Sequence, residues 1–405
     1  MKNKLFLFAL LLAFIGCESD APEQNASMNP VKKALLTGKV QKGPFVEGTS
    51  VYIFSLDENF KQTGTSFVTS IVDKKGSFEQ KDIQSPSPYV ELVATGYYYN
   101  EVKGELSAAP LTLSAIADIS SAEKVNINIL TTLERERILY LVNNGSGFRD
   151  AQKQAHQEVL AIFGMQSSEI NDAITLDIEA NPQLLVISAL VQGYLPTAKV
   201  TQLLANIASD LRTDGKLDNM EIASALKNNS MGLKADKLVQ NMAAYDLAYS
   251  YEQRDIEKFL DLFNANTSYQ QTEFVSYPEE DVYGKNILTL DRVQANQSYS
   301  FAAVTPEWGS LKIEIRGRGE WYMEVMPAAP ENWKYNTFSN TDGYNKQLFS
   351  VPTPGKKSVL KFTPGIQRAG NYTPSKNAPA KNTIHLIFYE NSDKPTREKI
   401  IQVVN

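Results

Sequence analysis

The sequence predicts a multidomain β + α protein: a β-sandwich, a central helical bundle and a second β-sandwich, in that order. Three observations predict it. At 405 residues the chain is too long for one core and suits two or three. Its hydrophobic period changes twice, from alternation to a 3.6-residue repeat near Val125 and back to alternation after Asn286. Gly and Pro turn signals punctuate the two alternating regions. No internal repeat is detectable.

The chain opens with Lys2 and Lys4, an unbroken apolar run from Leu5 to Ile15, then Gly16 and Cys17. A charged start, a short apolar core and a small residue before the cut are the parts of a secretory signal. The run is about half the length of a membrane span, which needs about 20 apolar residues. Cys17 is the only cysteine in the chain. Phe14-Ile15-Gly16-Cys17 resembles the lipobox of bacterial lipoproteins. The resemblance implies cleavage after residue 16, a diacylglyceryl thioether on Cys17 and an acyl group on the new N-terminus. Each buried methylene contributes about 0.8 kcal/mol, so two or three acyl chains hold a protein on a membrane almost permanently. Simple cleavage that leaves a free thiol is the other reading. Residues 1–16 are thus a signal peptide, and 17–35 a lipidated Cys with a polar tether containing Pro22 and Pro30. Glu18-Ser19-Asp20 resembles a surface-export signal and equally suits a solvated spacer, which leaves the surface and periplasmic faces of the outer membrane both open.

Residues 36–121 carry strand candidates at Leu36–Gln41, Ser50–Ser55, Ser66–Val72, Tyr89–Thr95 and Leu111–Ala117. Turns are marked by Gly43-Pro44, Gly48, Lys75-Gly76 and Pro86 to Pro88. Several such runs in so short a span argue for a small sandwich. The succession Gly38-Lys-Val-Gln-Lys-Gly-Pro-Phe, Gly48-Thr-Ser-Val and Asp73-Lys-Lys-Gly-Ser-Phe78 resembles the carboxypeptidase-regulatory-like family. That resemblance implies an Ig-like or transthyretin-like sandwich and no chemistry.

Residues 122–269 read as about five to seven helices. Thr131-x-x-Glu134 has capping-box spacing before Arg135 to Val142. Phe148, Ala151, Ala155, Val159, Ile162 and Phe163 share one face, closed by Gly164. Asn181-Pro182 opens a helix over Leu184 to Val191. Val200, Leu203, Leu204, Ile207 and Leu211 line another, and Ile256, Phe259, Leu260 and Phe263 a last one. These stripes are core positions. Residues 270–285, with Pro278-Glu-Glu-Asp, read as a linker. Residues 286–405 return to strands, at Ile287–Asp291, Ser298–Val304, Ser310–Arg316, Trp321–Val325, Ser358–Thr363 and Thr383–Tyr389.

Composition excludes several chemistries. Net charge is -6 with the charges well mixed, so no basic stripe for nucleic acid exists. His156 and His385 are the only two histidines, too few and too far apart for a multi-His metal site or a His-based triad. Glu279-Glu280-Asp281 falls in the linker, and no Gly-rich phosphate loop is present. No enzyme is expected. Two local features remain. Asp210, Asp214, Gly215, Asp218 and Glu221 match positions one, five, six, nine and twelve of an EF-hand loop, which makes calcium the one cofactor to consider. Arg212 stands where a ligand belongs. The same residues also read as an Asp214-Gly215 turn followed by an Asp218-x-x-Glu221 helix start. The three tryptophans, Trp308, Trp321 and Trp333, cluster with Tyr335, and aromatic faces on a sandwich stack on sugar rings or on a partner. Trp308, Trp333 and Tyr335 are therefore the ligand candidates, against a reading in which these side chains cover sheet edges and fill core. The expectation is a non-catalytic, lipid-anchored envelope protein that binds a partner protein or glycan, or spaces such a module from the membrane. A surface lipoprotein of a glycan-uptake system and a periplasmic scaffold are the alternatives.

Overall fold

The computed structural model describes residues 30–166, 173–272, 275–276, 285–304, 310–317, 321–326, 334–338, 345–351, 357–364 and 382–404. The fold is mixed β and α, with N-terminal strands in sheets, seven helices in the middle and C-terminal strands, among the described residues. The N-terminal strands are β1 (Val31–Gln41), β2 (Ser50–Leu56), β3 (Gln62–Ser70), β4 (Ser77–Ser85), β5 (Tyr89–Gly96), β6 (Tyr99–Asn100), β7 (Glu105–Leu106), β8 (Leu111–Asp118) and β9 (Ile127–Asn128). One antiparallel sheet runs β3-β2-β5-β8. A second runs β4-β1-β9, with β9 parallel to β1, and β6 and β7 form a small hairpin. Alternation places Val51, Ile53, Leu92 and Leu113 of the first sheet and Leu36, Val40 and Ile83 of the second in one core.

Strand β4 escapes the sequence pattern for a physical reason. Asp82 takes a positive φ of 53°, and the buried positions change parity across it, from Phe78 to Ile83 and Ser85. A strand that switches faces shows no sustained alternation.

The helices are α1 (Ile129–Asn143), α2 (Phe148–Ile162), α3 (Pro182–Gln192), α4 (Thr197–Asp214), α5 (Met220–Gly232), α6 (Ala235–Tyr245) and α7 (Gln253–Asn266). Helix α1 starts earlier than the Thr131-x-x-Glu134 spacing predicts. Asn128 is its N-cap, accepting from the Thr131 amide, while the Thr131 hydroxyl accepts from the Asn128 amide. Glu134 is instead buried against His156, with Nδ1 2.7 Å from Oε1. Helix α3 is buried from Leu184 to Gln192, an all-round apolar helix at the centre of the assembly. No single helix among the described residues is long and apolar enough to cross a membrane.

The apolar core runs without a break from Leu36 of β1 through α3 to Phe263 of α7. Helices α1 and α2 also close the lower outer face of the first sheet, packing Ile138, Leu141, Phe148 and Ala155 on Leu56 and Ile116. The Thr131 and Thr132 hydroxyls meet the backbone of Ser114, so the exposed edge of β8 is covered by the start of α1.

The C-terminal strands are β10 (Val275–Ser276), β11 (Lys285–Asn286), β12 (Arg292–Gln294), β13 (Tyr299–Val304), β14 (Leu311–Gly317), β15 (Trp321–Met326), β16 (Lys334–Phe338), β17 (Asn345–Val351), β18 (Lys357–Pro364), β19 (Thr383–Glu390) and β20 (Arg397–Val404). They form a six-stranded sheet, β12-β20-β19-β14-β17-β16, and a smaller one, β10-β13-β18-β15, with β11 beside β13. Phe301, Leu360 and Phe362 of the smaller sheet share a core with Ile313, Leu386, Phe388 and Ile401 of the larger. Two expectations are corrected here. Ile287–Thr289 is a 3₁₀ turn capped by Asn286, not the start of a strand. The stretch read as a linker contributes β10 to the smaller sheet.

Candidate functional site

The Asp210–Glu221 loop is a helix–turn–helix connection in which the Asp210 and Asp214 carboxylates have backbone partners. Asp210 Oδ2 accepts from the Asp218 amide (2.8 Å) and the Asn219 amide (3.1 Å), and Asp214 Oδ1 accepts from the Lys216 amide (3.1 Å). The cap of α5 is Asn219, one residue later than the Asp218-x-x-Glu221 spacing predicts, and its side chain accepts from the Glu221 and Ile222 amides. Gly215 ends α4 in the left-handed region, at φ 77°. A Cβ there would stand 2.2 Å from the Glu158 carboxyl carbon. That carboxylate is held by Arg137, which also donates to the Arg212 and Thr213 carbonyls. Among the described residues, no group of three or more His, Cys, Asp or Glu side chains is arranged to hold a metal ion.

Cys17, Trp308 and Trp333 lie outside the described residues. Tyr335 lies on β16 opposite Phe349, in the cross-strand row that continues through Ile313 to Phe388. Ile313 and Phe388 are both core residues. Trp321 lies on β15 opposite Pro364. Each of the two histidines has a ring nitrogen in contact with a carboxylate, His156 with Glu134 at 2.7 Å and His385 with Glu398 at 2.8 Å.

A concavity among the described residues lies elsewhere, where the end of the first sheet meets the start of α2. It is a cleft of about 880 Å³, within the usual range for small-molecule and sugar sites. Five separate segments build it: β1 with Thr37, β5 with Tyr89, the end of β8 and the connection after it with Asp118 and Lys124, the start of α2, and the turn at Ile174. Tyr89 and Phe148 are its aromatic members. Their rings lie 5.0 Å apart, and Phe60 packs on both, at 4.7 Å from Tyr89 and 5.4 Å from Phe148. Phe148 is buried and Tyr89 half-buried, so the cluster is a rigid floor with one accessible ring. Burial, and then the negative charges of Asp118 and Glu58, push the Tyr89 phenol pKa up, which keeps it a neutral hydrogen-bonding group. The polar rim holds both signs of charge: Asp118, Glu123 and Asp150 against Lys124 and Arg149, with the Gln152 amide between.

This arrangement can stack one face of a flat, hydroxyl-rich ligand and hydrogen-bond its edges with carboxylate, amide and guanidinium groups. Sequence reading missed it because no local motif exists. Tyr89, Asp118 and Arg149 belong to three segments that meet only in three dimensions, and the one local sign is Gly147-Phe148 at a helix start. A second, shallower concavity of about 630 Å³ lies between α4 and α5, with Asp210 and Glu221 on its polar side and Leu203 and Ile222 on its apolar side. Neither a scan against protein-family models nor a search of the curated proteins gives a match to this chain.

Proposed function

We propose that this chain is a non-catalytic, lipid-anchored protein of the bacterial cell envelope, held to the outer membrane through Cys17, that binds a glycan or a partner protein in the Tyr89–Phe148 cleft. In this reading residues 36–121 are a carboxypeptidase-regulatory-like, Ig-like or transthyretin-like sandwich. Residues 122–269 are a helical bundle, and residues 286–405 a second sandwich. The observation that carries the binding role is the cleft: a concave, sugar-sized space with an aromatic floor and a polar rim of mixed charge. Its concave shape favours a small hydroxylated ligand over a flat protein face, which normally buries about 800 Å² on each side.

Glycan-array binding by residues 18–405, with Arg149→Ala and Asp150→Ala as variants, tests this. Both side chains are exposed at the rim, so melting is expected to be unchanged. Glycan affinity is expected to fall about tenfold in each, equivalent to about 1.4 kcal/mol. Trp308→Ala and Trp333→Ala on the same array separate the cleft from the aromatic cluster of the C-terminal region. No glycan bound, or binding lost only in the tryptophan variants, contradicts the cleft reading.

A further inference from the structure

An ion pair that no proposed function uses lies at the junction of the N-terminal sheets with the helices. Lys42 follows β1, and Glu101 sits in the turn between β6 and β7. Both side chains are fully buried. The Lys42 ammonium donates to both Glu101 oxygens at 2.9 Å and stands 4.8 Å from the centre of the Tyr98 ring. Ser188 of α3 places its hydroxyl 2.7 Å from the Lys42 carbonyl and 2.8 Å from Glu101 Oε1. The same turn is tied to the helices at three further points. Tyr98 donates to Gln192 Oε1 of α3 (2.9 Å), and Tyr99 to the Asn241 carbonyl of α6 (2.8 Å). The Asn241 amide donates to the Glu101 and Val102 carbonyls, at 2.9 and 3.0 Å. Gly43 is required here because a Cβ would lie 1.9 Å from the Tyr99 carbonyl oxygen.

A fully desolvated pair such as this is a poor source of net stability, since the cost of removing both ions from water offsets their attraction. It is a strong source of direction. Separating Lys42 from Glu101 leaves a bare charge in an apolar core, and any seating that moves both from Ser188 leaves a buried carboxylate oxygen, the Lys42 carbonyl and the Ser188 hydroxyl short of a partner, whereas apolar contacts around them tolerate small shifts. We infer that Lys42, Glu101 and Ser188 form a registry lock that selects one seating of the N-terminal sheets on α3 and α6. The Lys-Gly-Pro-Phe stretch at residues 42–45 is then a docking element for the chain's own helices, and the sheet and helical parts act as one obligate unit.

The test compares Lys42→Met, Glu101→Met and the double variant in the full chain by thermal melting and amide hydrogen exchange. Each single variant strands one buried charge and is expected to melt about 10 °C lower. The double variant is expected to melt within about 3 °C of the parent. Its exchange protection in residues 98–104 and in α3 should nevertheless fall at least about tenfold, while the central strands stay protected. A double variant with parental protection throughout overturns the lock. A double variant that melts as low as the singles, or does not fold, also overturns it, by making the pair a net stabiliser.

Discussion

Gly215 concentrates two constraints in one residue. Its φ of 77° disfavours any side chain, and the space a Cβ would take is filled by the Glu158 carboxylate that Arg137 anchors. Gly215→Ala is therefore expected to cost about 1–3 kcal/mol, measured by chemical denaturation. Gly48→Ala, with a similar φ of 84° but open space around it, should cost only the backbone strain of about 1 kcal/mol. Equal losses at the two sites would mean that the Glu158 contact contributes nothing. Glu179 offers a second residue-scale test. The Lys75 ammonium, and with it Lys39, holds its carboxyl below the usual carboxylate range despite partial burial. A carboxylate with a lowered folded pKa adds stability that is complete above its unfolded value and is lost as pH falls through the folded one. Glu179→Gln is expected to lower stability at pH 7 by about 0.5–1 kcal/mol, discounted for its solvent exposure. The difference from the parent should vanish below the carboxylate range, and a constant difference down to pH 2 would contradict the assignment.

Single elements were legible in the sequence where one face is apolar and the other polar. Helices α2, α4 and α7 follow their predicted stripes, and Asn181-Pro182 opens α3 as expected. Legibility failed where burial is paid for by polar pairing. The buried side of α1 mixes Ile129, Leu130 and Leu133 with Glu134, which contacts His156, and Arg137, which pairs with Glu158, and its start was misplaced because the Thr131-x-x-Glu134 spacing imitates the cap that Asn128 supplies. Strand β4 changes faces at Asp82, and β20 begins with Arg397-Glu-Lys before burying Ile401 and Val403. The candidate sites divide in the same way. The Asp210–Glu221 spacing was visible because it is local, yet spacing cannot tell a metal ligand from a cap. Asp210→Ala is expected to lower stability by about 1 kcal/mol with or without a chelator, because its partners are the Asp218 and Asn219 amides. A loss that appears only in millimolar calcium would assign the loop a metal role instead.

At the scale of the whole molecule, the order of strands, helices and strands was legible, and what the N-terminal sheets pack against was not. The two changes of period locate the sheets and helices, but periodicity says nothing about what a sheet packs against. The continuous core from Leu36 to Phe263 and the buried Lys42–Glu101 pair seat the N-terminal sheets against the helices. Residues 30–121 alone are accordingly expected to bind a hydrophobic dye and to melt without cooperativity, whereas residues 30–272 should melt as one unit. A sharp, independent transition in the shorter chain would contradict this. The cleft belongs to the same scale, since its walls are assembled from both parts. The role proposed for it at the envelope depends on a lipid anchor at Cys17 that is itself a proposal. The most direct test is metabolic labelling of the full chain and of Cys17→Ala with an alkynyl fatty acid, read by mass spectrometry of the N-terminal peptide. The account predicts a lipidated peptide that begins at Cys17, and an unlabelled variant released from the membrane fraction. An unmodified thiol at residue 17 in the mature protein would contradict it.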